Sequence, residues 1–280
     1  MNQFDDEVIF QRILVALDGS HHSLAALEAA VELAAAMQAE LKGLYVEDVN
    51  LLRVAEGPAT WEMRYPYTST AQLNSKGMER QLRAQASHVQ RALAVACERK
   101  EVVWSFHVVR GEVAHEIVAA AQDADVLILG KVGRPLIRKT RLGSTALAAA
   151  VQASCCVLLL RRDTGVIPPI VVMYDGSPAS QRALRIAVYL AKRNGEYLAV
   201  LAVADTPEKE YRLEAETADW LRRQGLLVRY RHLLEANVPT LLHILEKERG
   251  GTLILSNTIL HLAPLQKLLD AVDCPVLLVR

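Results

Sequence analysis

The chain has 280 residues, 51% of them hydrophobic, and its 32 basic and 32 acidic side chains give a formal net charge of zero. That length suits two domains of about 140 residues each, and the charge balance excludes the basic excess of a general nucleic-acid binder. No apolar run approaches the ~18 residues of a membrane span, and the opening "MNQFDDEVIFQR" is acidic where a signal peptide is basic, so a soluble cytoplasmic protein that does not engage membranes is expected.

The first predicted strand is "ILVAL" (13–17), apolar throughout, as expected where helices cover both faces of a sheet. "DGSHHS" (18–23) then turns the chain into a helix that repeats Leu24, Leu27, Val31, Leu33 and Ala34 at helical spacing. "LYVED" (44–48) reads as a second strand. Residues 49–77 follow, carrying Trp61, Tyr65 and Tyr67, and are expected to form a lid or an interaction loop that can hold a protein partner. The helix "MERQLRAQASHVQRALAVACERK" restores the alternation, and "DVLIL" (125–129) and "CVLLL" (156–160) supply later strands.

The pattern then starts again. Residues 13–34 and 170–191 share I-x-V-x-x-DGS-x-x-S-x-x-AL-x-x-AV-x-LA at a constant offset of 157. "LYVED" pairs with "LAVAD" (201–205), and "SCCVLLLR" (154–161) resembles "DCPVLLVR" (273–280). The junction "RRDTGVIPP" (161–169) breaks regular structure with one Gly and two Pro. The boundaries predicted from it are a domain over 1–162 and a second over 168–280. Alternating strands and helices imply the α/β class, with a doubly wound parallel sheet in each half. Ligands in such sheets sit beyond the carboxyl ends of the strands, where strand order reverses.

The first copy holds an unusual connection there, "GKVGRPLIRKTRLGST" (130–145), between a strand and an Ala-rich helix. Its glycines fall as G-x2-G-x9-G-S, and Lys131, Arg134, Arg138, Lys139 and Arg141 lie among them without an acid. Gly130, Gly133 and Gly143 let backbone approach a ligand with no Cβ in the way. A helix starting near Ser144-Thr145 offers unpaired N–H groups and partial positive charge, both suited to phosphate. The combination reads as a phosphate cradle, although each residue alone is ordinary loop chemistry. Neither a Walker loop nor a dinucleotide fingerprint is present.

With these residues in view, the chain resembles the universal stress protein family in its tandem two-domain form. "ILVALDGSHHS" is similar to the family's opening strand and turn, and "LILGKVGRPLIRKTRLGST" to the glycine pattern of its ATP-binding members. The resemblance implies two tandem Rossmann-like sheets of five parallel strands, order 3-2-1-4-5, packed as an intramolecular pseudo-dimer through their fifth strands. It also implies ATP as ligand, with Mg as an accompanying ion. By motif position Ala16 and Val46 would frame adenine, and Asp18 would lie near ribose or phosphate. Gly130, Gly133, Gly143, Ser144 and Thr145 would hold ribose and phosphates. Charge adds Lys131, Arg134 and Arg141 to the set. A role for Asp18 in capping the following helix is equally open.

The second copy departs from this pattern. Leu129 to Cys155 spans 26 positions and Leu255 to Cys274 spans 19, so seven residues are missing from "SNTILHLAPLQ". Ser256 replaces Gly130, and Leu262 aligns with Gly143. One nucleotide site per chain is therefore expected, with a second half that is structural or partner-binding. His21 and His22 read as exposed residues of a helix-entry loop, and the four cysteines as buried thiols. No Ser/His/Asp or Cys/His arrangement is legible. The expected function is a nucleotide-dependent regulator or protective factor with at most slow hydrolysis, acting as monomer or homodimer. The rivals are an interaction module that binds no nucleotide and an adenine-nucleotide hydrolase or adenylating enzyme.

Overall fold

Strand and helix alternate along both halves. The computed structural model describes residues 10–56, 61–64, 69–72, 75–131, 142–161, 165–193, 195, 197–234, 237–248 and 251–280. The first half contains β1 (Arg12–Ala16), α1 (His21–Met37), β2 (Glu40–Asp48), α2 (Val49–Ala55), β3 (Trp61–Arg64), β4 (Ser69–Gln72) and α3 (Ser75–Glu98). It continues through β5 (Trp104–Gly111), α4 (Val113–Ala120), β6 (Val126–Gly130), α5 (Ser144–Gln152) and β7 (Cys156–Leu160). The second contains β8 (Ile170–Tyr174), α6 (Pro178–Arg193), β9 (Tyr197–Ala204), α7 (Pro207–Arg223) and β10 (Leu227–Leu234). It closes with α8 (Val238–Lys247), β11 (Thr252–Ser256), α9 (Leu262–Ala271) and β12 (Val276–Val279).

Ten strands form one sheet in the order β10-β9-β8-β11-β12-β7-β6-β1-β2-β5. Within each half the order is the 3-2-1-4-5 that the resemblance implies, and the strands are parallel. The halves meet where β12 runs antiparallel to β7, with Val276 opposite Leu159, Leu277 opposite Leu158 and Leu278 opposite Val157. All six of these residues are buried. Apolar runs at this seam bury both faces, since helices lie above and below.

Two hydrophobic cores result, one on each face of the sheet, and both contain residues from both halves. The outer strands differ in character. On β10, Arg229 and Arg231 alternate with Val228 and Tyr230, and cations on an edge discourage pairing with another sheet. Arg231 donates to Glu248 through Nε and a terminal nitrogen at 3.0 and 2.9 Å, and Tyr197 donates to the same carboxylate at 2.8 Å.

The described residues of the segment 49–77 form regular structure. They supply α2, which packs on α3, and the antiparallel pair β3–β4, separate from the main sheet. Tyr65 and Tyr67 lie outside the described residues. In the second half β9 leads almost directly into α7, so this insertion belongs to the first half alone.

Candidate functional site

The carboxyl ends of β1 and β6 lie side by side, with Val15 in register with Ile128. From β1 the chain crosses to β2 and β5 on one side, and from β6 to β7 on the other. This is the strand-order reversal beside which doubly wound sheets bind ligands. Ala16 ends β1, and Val46 lies near the end of neighbouring β2. Ala16 belongs to the core beneath the sheet, the face that α4 and α5 cover, and half-buried Val46 packs against it.

Asp18 has a local task. Its Oδ1 accepts from the Ser20 amide at 2.8 Å, across Gly19, whose φ of +73° is a left-handed conformation that glycine adopts without strain. Ser20 then caps α1, its hydroxyl accepting from the Ser23 amide at 3.2 Å. The second half repeats the arrangement. Asp175 accepts from the Ser177 amide at 3.0 Å, Gly176 has φ +83°, and Ser177 accepts from the Ser180 amide at 3.2 Å. Burial alone would push the Asp175 carboxyl up, but hydrogen bonds from Ser177 and Ser180 outweigh it and hold it below its ordinary value. The Asp-Gly-Ser motif thus serves helix entry in both copies.

Gly130 ends β6. A Cβ there would lie 2.9 Å from His22 Cβ and 3.2 Å from the His22 backbone, so this glycine admits the first turn of α1. His21 is exposed as expected, but His22 is half-buried at that contact.

The glycine connection is pinched at its base. The Gly143 amide donates to the Lys131 carbonyl at 2.9 Å, so the connection leaves β6 and returns to the same point. Gly143 is the N-cap of α5 and has no side-chain cap. The first intrahelical bond runs from the Leu147 amide to the Gly143 carbonyl at 3.0 Å, leaving the amides of Ser144, Thr145 and Ala146 ahead of it. Ser144 is exposed and Thr145 half-buried. Leu142, just before the cap, is buried in the core below the sheet and anchors the returning chain. Gly133, Arg134 and Arg141 lie outside the described residues, as do Arg138 and Lys139.

Lys131 departs from expectation. Charge alone placed it among the phosphate ligands, yet it is 2% exposed and its ammonium donates to the Val272 carbonyl in the second half at 2.5 Å. Its backbone N–H donates to Leu160 of β7 at 2.6 Å. Burial pushes the ammonium down to about 8, with Cys274 nearby pulling it back up and Arg161 adding to the fall. The physical reason for the difference is position. Lys131 is one residue beyond a strand that adjoins β7, so its side chain reaches across the seam between the halves. The sequence signal for this was faint: of the five cations in the connection, Lys131 alone directly follows the strand.

The second half closes the equivalent place. Five residues, 257–261, join β11 to α9. Ser256 is fully buried, its hydroxyl 3.0 Å from that of Thr258, and the Ile259 amide turns back to the Ser256 carbonyl at 3.3 Å. Leu260 is buried in the lower core, and His261 caps α9, one residue before the Leu262 that alignment had placed there. All four cysteines are buried, and burial raises Cys97 and Cys155 to about 11, which keeps them unreactive thiols. Among the described residues no group of three or more His, Cys, Asp or Glu is arranged to hold a metal ion, and no helix is long and apolar enough to cross a membrane.

The profile of the universal stress protein family matches residues 9–161 and again residues 167–259. The chain belongs to the universal stress protein family. Universal stress protein Rv2005c of Mycobacterium tuberculosis is 32% identical over 200 residues, which cover 69% of this chain and 64% of that relative's length. Universal stress protein MJ0531 of Methanocaldococcus jannaschii is 26% identical over 158 residues, covering 56% of this chain and 85% of the relative. The crystal structure of a universal stress protein from Archaeoglobus fulgidus superposes with a TM-score of 0.74, covers 95% of both chains and shares 16% identity, a likeness of fold. This universal stress protein therefore has a tandem architecture in which two copies of the family fold share one sheet.

Proposed function

We propose that the first half binds an adenine nucleotide, foremost ATP, and that the protein acts in stress response as a nucleotide-dependent regulator or protective factor rather than as a catalyst with rapid turnover. The observation that carries this reading is the contrast between the two copies at one place. Between β6 and α5 the first half has a long glycine connection, pinched at its base by the bond from Gly143 to Lys131. Between β11 and α9 the second half has a five-residue link filled by Leu260.

In this reading the amides at the start of α5 accept the phosphates, as helix N-termini do. Gly143, Ser144 and Thr145 stand at that entry, with Gly133, Arg134 and Arg141 completing the cradle. Ala16 and Val46 border the base on the covered face of the sheet. A divalent ion such as Mg would arrive on the phosphates, with Asp18 the acid placed beside it. Slow hydrolysis is the most this reading assigns, since Asp18 is already engaged in the turn through the Ser20 amide.

Isothermal titration with ATP, ADP and AMP tests the proposal. One molecule bound per chain is expected, with Gly143→Val lowering affinity at least tenfold and Leu262→Ser, on the exposed start of α9, leaving it unchanged. Equal losses in both variants, or no binding to the unaltered protein, would sink it.

A further inference from the structure

The second half reaches into the first at the proposed nucleotide site. Among the hydrogen bonds that cross between the halves, two hold the unit formed by the connection and α5, one at each end. At its start Lys131 donates through its ammonium to the Val272 carbonyl at 2.5 Å. At its far end Arg280 donates through a guanidinium nitrogen to the Ala150 carbonyl, in the last turn of α5, at 2.6 Å. The bond from Gly143 to Lys131 ties the two ends into one piece.

The chemistry at both ends is the same. Val272 is the C-cap of α9, and Ala150 is within the final turn of α5. The last carbonyls of a helix lack intrahelical partners and carry partial negative charge. A cation from the opposite half satisfies one of them in each case. The exchange is reciprocal in direction, the first half capping α9 and the second half capping α5. It is not symmetric in sequence. Arg161, the counterpart of Arg280, pairs instead with Asp273, and Asn257 occupies the place of Lys131.

We infer that the second half is the positioning element of the nucleotide site, with Lys131 and Arg280 clamping the two ends of the loop-and-α5 unit, so that nucleotide binding and docking of the halves are linked. This rests on the nucleotide reading above. Linkage makes the effect mutual: whatever affinity the clamp adds for nucleotide, nucleotide adds to the clamp. Lys131 and Arg280 are positioning residues, since they act on the cradle through Val272 and Ala150 rather than on the ligand.

The test uses the full chain, with ATP titration alongside hydrogen exchange of the segment 262–274. In the unaltered protein ATP should slow exchange across that segment at least twofold, although the segment lies in the half without a cradle. Lys131→Met should lose this protection and bind ATP about 5- to 50-fold more weakly, the ordinary range of coupling between sites. Arg280→Gln, at the opposite end and outside the loop, should weaken binding in the same direction, and Arg280→Lys should restore most of it. It also decides the matter should Lys131→Met fold poorly. Asp273→Asn, which breaks the exposed pair with Arg161 but leaves the Val272 carbonyl and the Arg280 bond in place, should leave affinity within twofold. If the unaltered protein binds ATP and both Lys131→Met and Arg280→Gln bind it equally well, with the protection of 262–274 intact, the clamp is refuted and the nucleotide reading stands. If the unaltered protein does not bind ATP, both are refuted.

Discussion

His22 occupies the space that a side chain at Gly130 would need, its Cβ 2.9 Å from where that side chain would begin. In the second copy the same two positions are Ala179 and Ser256, so a small residue has moved from the strand to the helix. Gly130→Ala should therefore destabilise the fold by about 1–3 kcal/mol, the usual cost of overpacking. His22→Ala should recover part of that loss in the double variant, though not all, because the His22 backbone is also close. Urea denaturation of the four proteins in the cycle measures it. Additive effects would show that the contact is not the cause.

Gly143 offers a prediction in which stability and affinity move in opposite directions. It caps α5 without a side-chain bond. Serine is the better cap, so Gly143→Ser should raise stability by a few tenths of a kcal/mol. In the proposed cradle the same hydroxymethyl group stands where phosphate approaches, and ATP affinity should fall. Thermal melting and calorimetry on one preparation separate the two effects, and a parallel change in both would count against the cradle.

Lys131 predicts a pH dependence with a definite sign. Folding lowers its ammonium from the ordinary 10.5 to about 8. Between those values the unfolded chain holds the proton more often than the folded one, so the Lys131 contribution to stability grows as pH rises from 8 to 10.5. It is complete above that window and lost as pH falls through 8. Lys131→Met should flatten this rise, which denaturant titrations at pH 7.5 and 10 can measure.

Asp18 and Asp175 make the same turn, and substitution can separate turn-making from ligand contact. Asparagine retains an acceptor oxygen, so Asp18→Asn should cost no more than about 1 kcal/mol through the turn. If the charge of Asp18 serves the nucleotide or its ion, ATP affinity should change several-fold in Asp18→Asn while Asp175→Asn leaves it untouched. Asp175 should also show its own pH effect. Its carboxyl is held below the ordinary 3.8, so its stabilising contribution is present above that value and lost as pH falls through the lower folded one. Acid unfolding of Asp175→Asn should lack it.

The architecture was legible because it depends on features written along the chain: apolar runs of strand length, helical periodicity, and a repeat at a constant offset. The pairing of the fifth strands, β7 with β12, followed from the family resemblance and was found in place, with Leu277 opposite Leu158. Residue roles set by contacts between distant segments were less legible. Lys131 looks like any loop cation until the strand it follows is seen to adjoin the other half. Gly130 reads as ligand-facing from its neighbours in sequence, whereas its contact is with a residue 108 positions earlier. That relation was recoverable only by comparing both copies, where the Gly–His pair becomes Ser–Ala. The insertion at 49–77 gave no periodic signal strong enough to announce α2 and the β3–β4 pair.

Fusing two copies of one fold into a single polypeptide frees them from mirrored change. In a pair of identical subunits related by a two-fold axis, every substitution falls on both sides at once, and a lysine placed at one crevice appears at the other. Here the antiparallel junction of β7 and β12 keeps the geometry of such a pair while each side carries its own residues. One copy retains a long glycine connection, and its sister, with Leu260 buried in its short link, is at liberty to serve as a buttress.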